Sequence, residues 1–505
     1  MSTTEPGPFR LSRLLALLAA MALLAAACGG GDDSADDDAD TSDESAATET
    51  EAEAEPDTEA DAEADDDGDA ADDADSGDTV EVRWFVGLGT GAQEEQIDRQ
   101  DAVVDAFNSS QDGIELVVEY VDNSTAADVL ATQIAAGNAP DIIGPVGLEG
   151  SNAFAGQYAD LEPLIAESGF DLSPFAGSEE VYRTAEGALE GIPFATFPSG
   201  IFYNKDLFDE AGLPYPPTAY EADGSSVYGE GTEFEGPWTY DKLAEIAAIL
   251  SVDSAGNDAS SDAYDKASIE QFGFAHQWTS NPTSLGTSFG AGRIEQADGT
   301  AAVPDVWVDS YRWYHDLIHE VGAAPNQTQT DSDLLAGNVF NSGNVAMVST
   351  HLWYTCCIAD VGDAWDIGAL PTHDGTLVSK LHGDTFRIHR DSENQQAAFT
   401  VLEYFFDDAA LDLLDVYGGM PARPDIRDSY FAALDEQFTQ GVNWDVIIAG
   451  LEYADSPNHQ ASMPSFLEAD ARVKEFETPL LDDPDLDIDA AIAELEADLT
   501  ALWAG

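Results

Sequence analysis

From residue 79 onward, apolar and polar positions alternate and cycle in a repeating order. Thr79 to Val86 (TVEVRWFV) alternates and is rich in Val and aromatics, which predicts a strand. The glycine-rich turn Gly87 to Gly91 follows. Glu94 to Phe107 then places Ile97, Val103, Val104 and Phe107 at helical spacing. A second strand, Ile114 to Val121, leads through Ser124 and Thr125 into a helix over Ala126 to Ala136, with Gly137 as its C-cap. A third strand is predicted from Asp141 to Gly144. Strand, helix, strand, helix, strand is the order of a parallel α/β sheet. Ligands of such sheets sit at the carboxyl ends of the strands, here the Gly87–Gly91 turn and the Gly144–Gly150 loop. GLGTG is not a nucleotide cradle: it lacks the Lys-Ser/Thr of a P-loop and the G-x-G-x-x-G spacing.

The first 78 residues follow different patterns. Arg10 and Arg13 precede an apolar run, Leu14 to Ala27, that ends at Cys28. The run is shorter than the roughly 20 residues that span a bilayer and suits the core of a secretory signal. Small residues before Cys28 resemble a bacterial lipobox, which implies a signal over 1–28 with Cys28 lipidated. Residues 29–78 hold 24 acids and no Lys, Arg, aromatic or branched aliphatic residue. That segment cannot bury enough apolar surface to offset its ordering entropy, which predicts a disordered acidic tether.

The whole chain has 505 residues, 100 acids and 17 Lys and Arg, a formal charge of −83. Residues 79–505 keep 75 acids against 15 bases. This excludes a nucleic-acid partner, whose binding rests on basic residues neutralising phosphates, and it disfavours an anionic ligand. Such self-repulsion points to a halophilic-like protein adapted to high salt, where screening shortens its reach. Length favours two domains.

Several short motifs occur in a fixed order. They are Gly137-Asn138-Ala139-Pro140-Asp141-Ile142, Gly191-Ile192-Pro193-Phe194, Phe202-Tyr203-Asn204-Lys205-Asp206-Leu207-Phe208, and Ala211-Gly212-Leu213 with Pro216-Pro217. Gly343-Asn344-Val345-Ala346-Met347 with Trp353, Asp366-Ile367-Gly368-Ala369-Leu370-Pro371, and Gly419-Met420-Pro421-Ala422-Arg423 follow, then an amphipathic tail helix over about 488–503. Together they resemble the extracellular solute-binding proteins of ABC transporters, in the carbohydrate-binding family. The resemblance implies a two-lobed periplasmic-binding-protein-like α/β fold, each lobe a mainly parallel sheet flanked by helices, with the ligand cleft between lobes. It places the N-terminal lobe at 79–193 plus 372–418 and the C-terminal lobe at 194–371 plus 419–505, with Pro193 and Pro371 near the crossings. Locally, Asp206 can cap the helix after Lys205, the proline pair 216–217 ends it, and Tyr220 to Pro237 reads as a surface loop.

The resemblance also implies the partners: a small carbohydrate, the permease subunits of an ABC importer, and the membrane through the lipid only, for a monomer on the extracellular face of a bacterial cell membrane. Neither a cofactor nor a metal is expected, and no catalytic residue. Two other functions stay open: an exported carbohydrate-active enzyme, whose carboxylate pair could hide among 75 acids, and a binding-fold sensor or adhesin.

Sugars present flat C–H faces ringed by hydroxyls, so their sites pair stacking aromatics with polar groups. Trp353, by its family position, and Trp278, in the polar stretch 276–284, are the stacking candidates; core packing is the alternative for Trp353. Asp384 opens the strand after the second crossing, or serves as a turn or cap. Thr90, Gly91 and Glu94 follow the first strand, where Glu94 also suits a helix N-terminus. Arg423 and Trp444 complete the set, Arg423 with an ion-pair alternative. The adjacent Cys356 and Cys357 either stay buried or close on each other as a vicinal disulfide. His315 and His319 share one helical face, read as solvated rather than metal-binding.

Overall fold

The computed structural model describes residues 79–504, apart from 176–181, 185–186, 359–361, 363 and 460–462. The leader over 1–28, Cys28 and the tether over 29–78 lie outside the described residues. The strands are β1 Val80–Val86, β2 Ile114–Tyr120, β3 Ile142–Val146, β4 Ile192–Asn204, β5 Val227–Tyr228, β6 Gly236–Pro237, β7 Val252–Asp253, β8 Ile269–His276, β9 Val345–His351, β10 Trp365–Gly368, β11 Leu381–Ile388 and β12 Met420–Pro421.

The alternation in β1 sets two layers of core. Val82, Trp84 and Val86 face helix Glu94–Ser110, which buries Val103, Val104 and Phe107 against them. Phe85 points the other way, with Ile143, to Ala126 and Leu130 of helix Asn123–Ala135. Every residue of β3 is buried, as a strand covered on both faces requires. The Trp84 indole nitrogen donates to the Gly144 carbonyl at 2.6 Å, so a large ring is buried without an orphaned donor. Asp122 caps the second helix through the Ser124 amide, and Gly137 ends it at φ +69°.

The main sheet runs β2-β1-β3-β11-β4-β9-β8-β7, with β10 and β12 also paired to β4. It is mixed. The pairs β1–β2, β1–β3 and β8–β9 are parallel, whereas β4 is antiparallel to every neighbour. Its 13 residues divide their pairing. Ile192 to Pro198 lie beside β11, and Ser199 to Tyr203 lie beside β9. β4 is thus the one strand common to both halves of the sheet.

Several local expectations are corrected. Asn204, not Asp206, caps helix Lys205–Ala211, accepting from the amides of Asp206 and Leu207, and Gly212 at φ +69° ends it before the prolines. The surface segment 220–237 stays mostly exposed, as expected, but is pinned to the core: Tyr228 is fully buried and stacks on Trp238 at 5.2 Å, and the Tyr220 hydroxyl accepts from the Leu370 amide. His315 is buried, not solvated, its Nε2 2.9 Å from the Asp483 carbonyl, because helix Phe466–Asp482 packs over that face through Phe476 on Tyr311. Helix Ile488–Ala504 closes the chain, burying Ile492, Leu495 and Leu499.

Candidate functional site

A cleft of about 530 Å³ opens where the carboxyl ends of the parallel strands of both halves meet. Leu88, Gly89 and Thr90 after β1, Gln93, Asn123 and Ala127, and Gly147, Glu149 and Gly150 after β3 form one wall. His382 and Asp384, two apart on β11 and so on one face, supply its floor. Trp278 beyond β8, Trp353 and Cys356 beyond β9, and Phe466, Leu467, Asp470 and Lys474 of helix Phe466–Asp482 form the other wall.

The two aromatic platforms are held differently. Trp353 is partly buried on Phe197 and stands 4.3 Å from the His351 ring and 4.7 Å from His382. Its indole nitrogen meets no partner among the described residues. Trp278 is 50% exposed, touches Tyr354 edge-on, and adopts φ +58°. A tryptophan in the left-handed region is strained, and strain of this kind concentrates at ligand sites. Cys356 and Cys357 form a disulfide, and Cys356 lines the cleft.

The polar groups are fixed from behind. Thr90 Oγ1 accepts from Gln96 Nε2 at 2.9 Å; Gln96 Oε1 accepts from the Gly91 amide, and its Nε2 also donates to the Val416 carbonyl. Gln100 donates to the Gly91 carbonyl and accepts from the Tyr417 hydroxyl. Gly89 is required by close approach: a Cβ there would stand 2.6 Å from the Pro145 carbonyl oxygen and 3.0 Å from Asp384 Oδ2. Asp384 is 7% exposed, and burial pushes its carboxyl up to about 7. Lys474 pairs with Asp470 at 2.7 Å on its own helix and reaches Glu149 on the opposite wall at 3.7 Å. Burial, with Asp470 nearby, raises the Glu149 carboxyl above its ordinary value.

Thr90, Trp278, Trp353, Asp384 and Cys356 therefore converge on one cleft. The other expected contacts do not. Gly91 sits behind the turn at φ +111°, and Glu94 is exposed on the first helical turn, where a carboxylate favours the helix dipole. Arg423 is bound by Asp425 and Asp407 and donates to the Phe406 carbonyl. Trp444 is 6% exposed, packs on Trp365 and Phe438, and donates to Asp435. Sequence reading missed His382, Asn123, Gln93, Glu149, Phe466 and Lys474. The one legible signal nearby was the pair Gln96 and Gln100, amides one turn apart on the face of the helix that also buries Val103, Val104 and Phe107. Among the described residues, no group of three His, Cys, Asp or Glu is placed to hold a metal ion.

The family model described as bacterial extracellular solute-binding protein matches residues 93–411. The chain belongs to the bacterial extracellular solute-binding proteins. A binding protein of Brucella abortus (strain 2308) is 25% identical over 346 residues, 66% of this chain and 73% of that one. Among solved structures, an ABC substrate-binding protein of Listeria monocytogenes, in complex with cycloalternan, is 19% identical, with a TM-score of 0.66 over 85% of this chain and 100% of that one. An ABC transporter solute-binding protein from Thermotoga lettingae, bound with α-D-tagatose, gives 20% identity and a TM-score of 0.64 over 84% and 100%. Maltose-bound MalE3 of T. maritima gives 18%, 0.63, 84% and 100%. This solute-binding protein shares their two-lobed α/β fold. Among its described residues, no helix is long and apolar enough to cross a membrane.

Proposed function

We propose that this protein captures a neutral sugar or oligosaccharide outside the cell and delivers it to the permease of an ABC importer. The observation that carries the reading is the cleft itself: Trp278 and Trp353 offer apolar faces on one wall, opposite Thr90, Asn123 and Gln93, above Asp384 and His382. That combination matches a ring with apolar faces and a hydroxyl rim. The sugars bound by the structural neighbours from L. monocytogenes, T. lettingae and T. maritima support the same class.

The pairing of β4 supports a lobe crossing at Pro198–Ser199, a few residues beyond Pro193, and a second crossing in the segment between β10 and β11. Ligand that touches both walls favours the shut form, and the shift in population is the signal to the permease. Lipidation of Cys28 and an acidic tether over 29–78 would hold the monomer at the cell surface. The enzyme reading needs two carboxylates flanking one bond; of the three that line the cleft, Glu149 and Asp470 both pair with Lys474, and the sugar-binding neighbours support the binding reading instead.

A thermal-shift screen in molar salt against mono- and oligosaccharides, amino acids, peptides and polyols tests the reading. The expected outcome is an upward melting shift with a sugar, growing with its excess, and no reducing ends released on long incubation. A shift with only a non-sugar solute, or release of reducing ends, would overturn it.

A further inference from the structure

One ion-pair network crosses the mouth of the cleft and belongs to neither wall alone. Glu149 is fixed to the first wall. It lies in the short helix Leu148–Ala153 after β3, where Ser151 Oγ donates to the Gly147 carbonyl and accepts from Arg387 Nε of β11. Lys474 is fixed to the other wall. Its helix, Phe466–Asp482, packs Phe476 on Tyr311, and its Glu477 Oε1 accepts from Ser280 Oγ at 2.7 Å. Each partner is thus anchored to a different half of the sheet, so the distance between them follows the gap between the walls.

Across that gap Lys474 Nζ stands 3.7 Å from Glu149 Oε1 and 2.7 Å from Asp470 Oδ2. One ammonium therefore sits between two carboxylates, one from each wall. Burial, then the nearby Asp470, raises the Glu149 carboxyl above its ordinary value, while Lys474 lowers it. Without the lysine charge, a shut mouth sets Glu149 against Asp470, and repulsion replaces attraction. Arg293 lines a small neighbouring cavity together with Glu149 and Asp470, yet makes no ion pair with either. The Lys474 side chain is 54% exposed, so the bridge is of the modest kind that changes an equilibrium constant by up to about fivefold. Salt acts unequally on it. At 1 M the screening length is about 3 Å, which suppresses repulsion among distant acids and leaves groups in contact part of their attraction.

We propose that Lys474 is a latch: by bridging Asp470 on its own helix and Glu149 on the opposite wall, it draws the cleft mouth shut in the unliganded protein. The solute then has less of the closing free energy to supply, because the equilibrium it must shift is already tilted toward the shut form. This rests on the closure reading above and not on the chemistry of the solute.

Double electron–electron resonance on the full chain, without ligand and in molar salt, tests the latch. Nitroxides are placed at Thr132→Cys and Asp316→Cys, exposed helical positions on either side of the cleft. Cys28→Ser leaves no other free thiol, since Cys356 and Cys357 are joined. Lys474→Met is expected to lower the ratio of short to long distances by about twofold to fivefold, and Lys474→Glu by more. Adding Glu149→Lys to Lys474→Glu restores attraction across the mouth and should return the ratio toward the wild-type value, which a packing defect at either position would not allow. A ratio unchanged in Lys474→Met, or one the charge swap fails to restore, would overturn the latch. If these variants leave the distances alone while the solute found in the melting screen shortens them, closure stands and the latch falls. If neither moves them, both fall.

Discussion

Lys380 is 1% exposed, its ammonium has no partner among the described residues, and burial lowers its pKa from the usual 10.5 to about 7. The unfolded chain therefore binds that proton more readily than the folded one between those two values. The lysine's contribution to stability is full above pH 10.5 and is lost as pH falls through 7. Lys380→Met should melt higher than the wild type at pH 7, by an amount on the order of a few kcal/mol, and the gap should close as pH rises toward 10; melts across that range check it. Asp384 has the opposite sign: its contribution is full below the ordinary carboxylate value and is lost as pH rises through about 7. At the platforms, Trp353→Ala and Trp278→Ala should each weaken sugar binding at least tenfold, about 1.4 kcal/mol, measured by titration. Trp278, half in solvent, should lose affinity with little change in melting temperature, whereas Trp353 supports Phe197 and His351 and should lose some of both. An unchanged affinity in either variant removes that ring from the site.

Secondary elements here are placed by backbone approach as much as by side-chain packing. β8 lies so close to helix Tyr240–Leu250 that a Cβ on Gly273 would stand 2.0 Å from the Ala247 carbonyl oxygen. Gly273→Ala must push strand and helix apart. It should cost about 3 kcal/mol, at or beyond the usual range for overpacking, read as a fall in the denaturation midpoint. Because β8 carries Trp278 at its end, sugar affinity should fall with it. A variant of unchanged stability would show that this contact relaxes freely. Elements with strong period, such as β1 and helix Glu94–Ser110, were legible in the sequence to within a few residues, since their apolar faces meet a core that only that register can bury. Gln96 was not legible as the support of Thr90, because its partner carbonyl on Val416 lies 320 residues away in the chain. Arg423 misled for a related reason. A rare cation beside a turn suggests a ligand contact until the fold brings Asp407 to it.

Over the whole molecule, 75 acids against 15 bases in residues 79–505 give a self-repulsion that salt screens within about 10 Å at 0.1 M and about 3 Å at 1 M. The melting temperature should rise steeply between dilute buffer and molar sodium chloride. Equal values would remove the proposal of adaptation to high salt.

The sequence by itself determined the α/β class, the order of the first three strands and the two helices between them, the family and the two tryptophans of the cleft. Each is written in local periodicity or in short motifs whose residues are neighbours in the chain. Only the tertiary structure decided that β4 serves both halves of the sheet, that helix Phe466–Asp482 walls the cleft, and that Lys474 of that helix reaches Glu149 on the opposite wall. Those arrangements depend on groups tens to hundreds of residues apart. Which of a chain's many acids, amides and histidines meet is set by how the elements pack, and burial then gives the few that meet their chemistry.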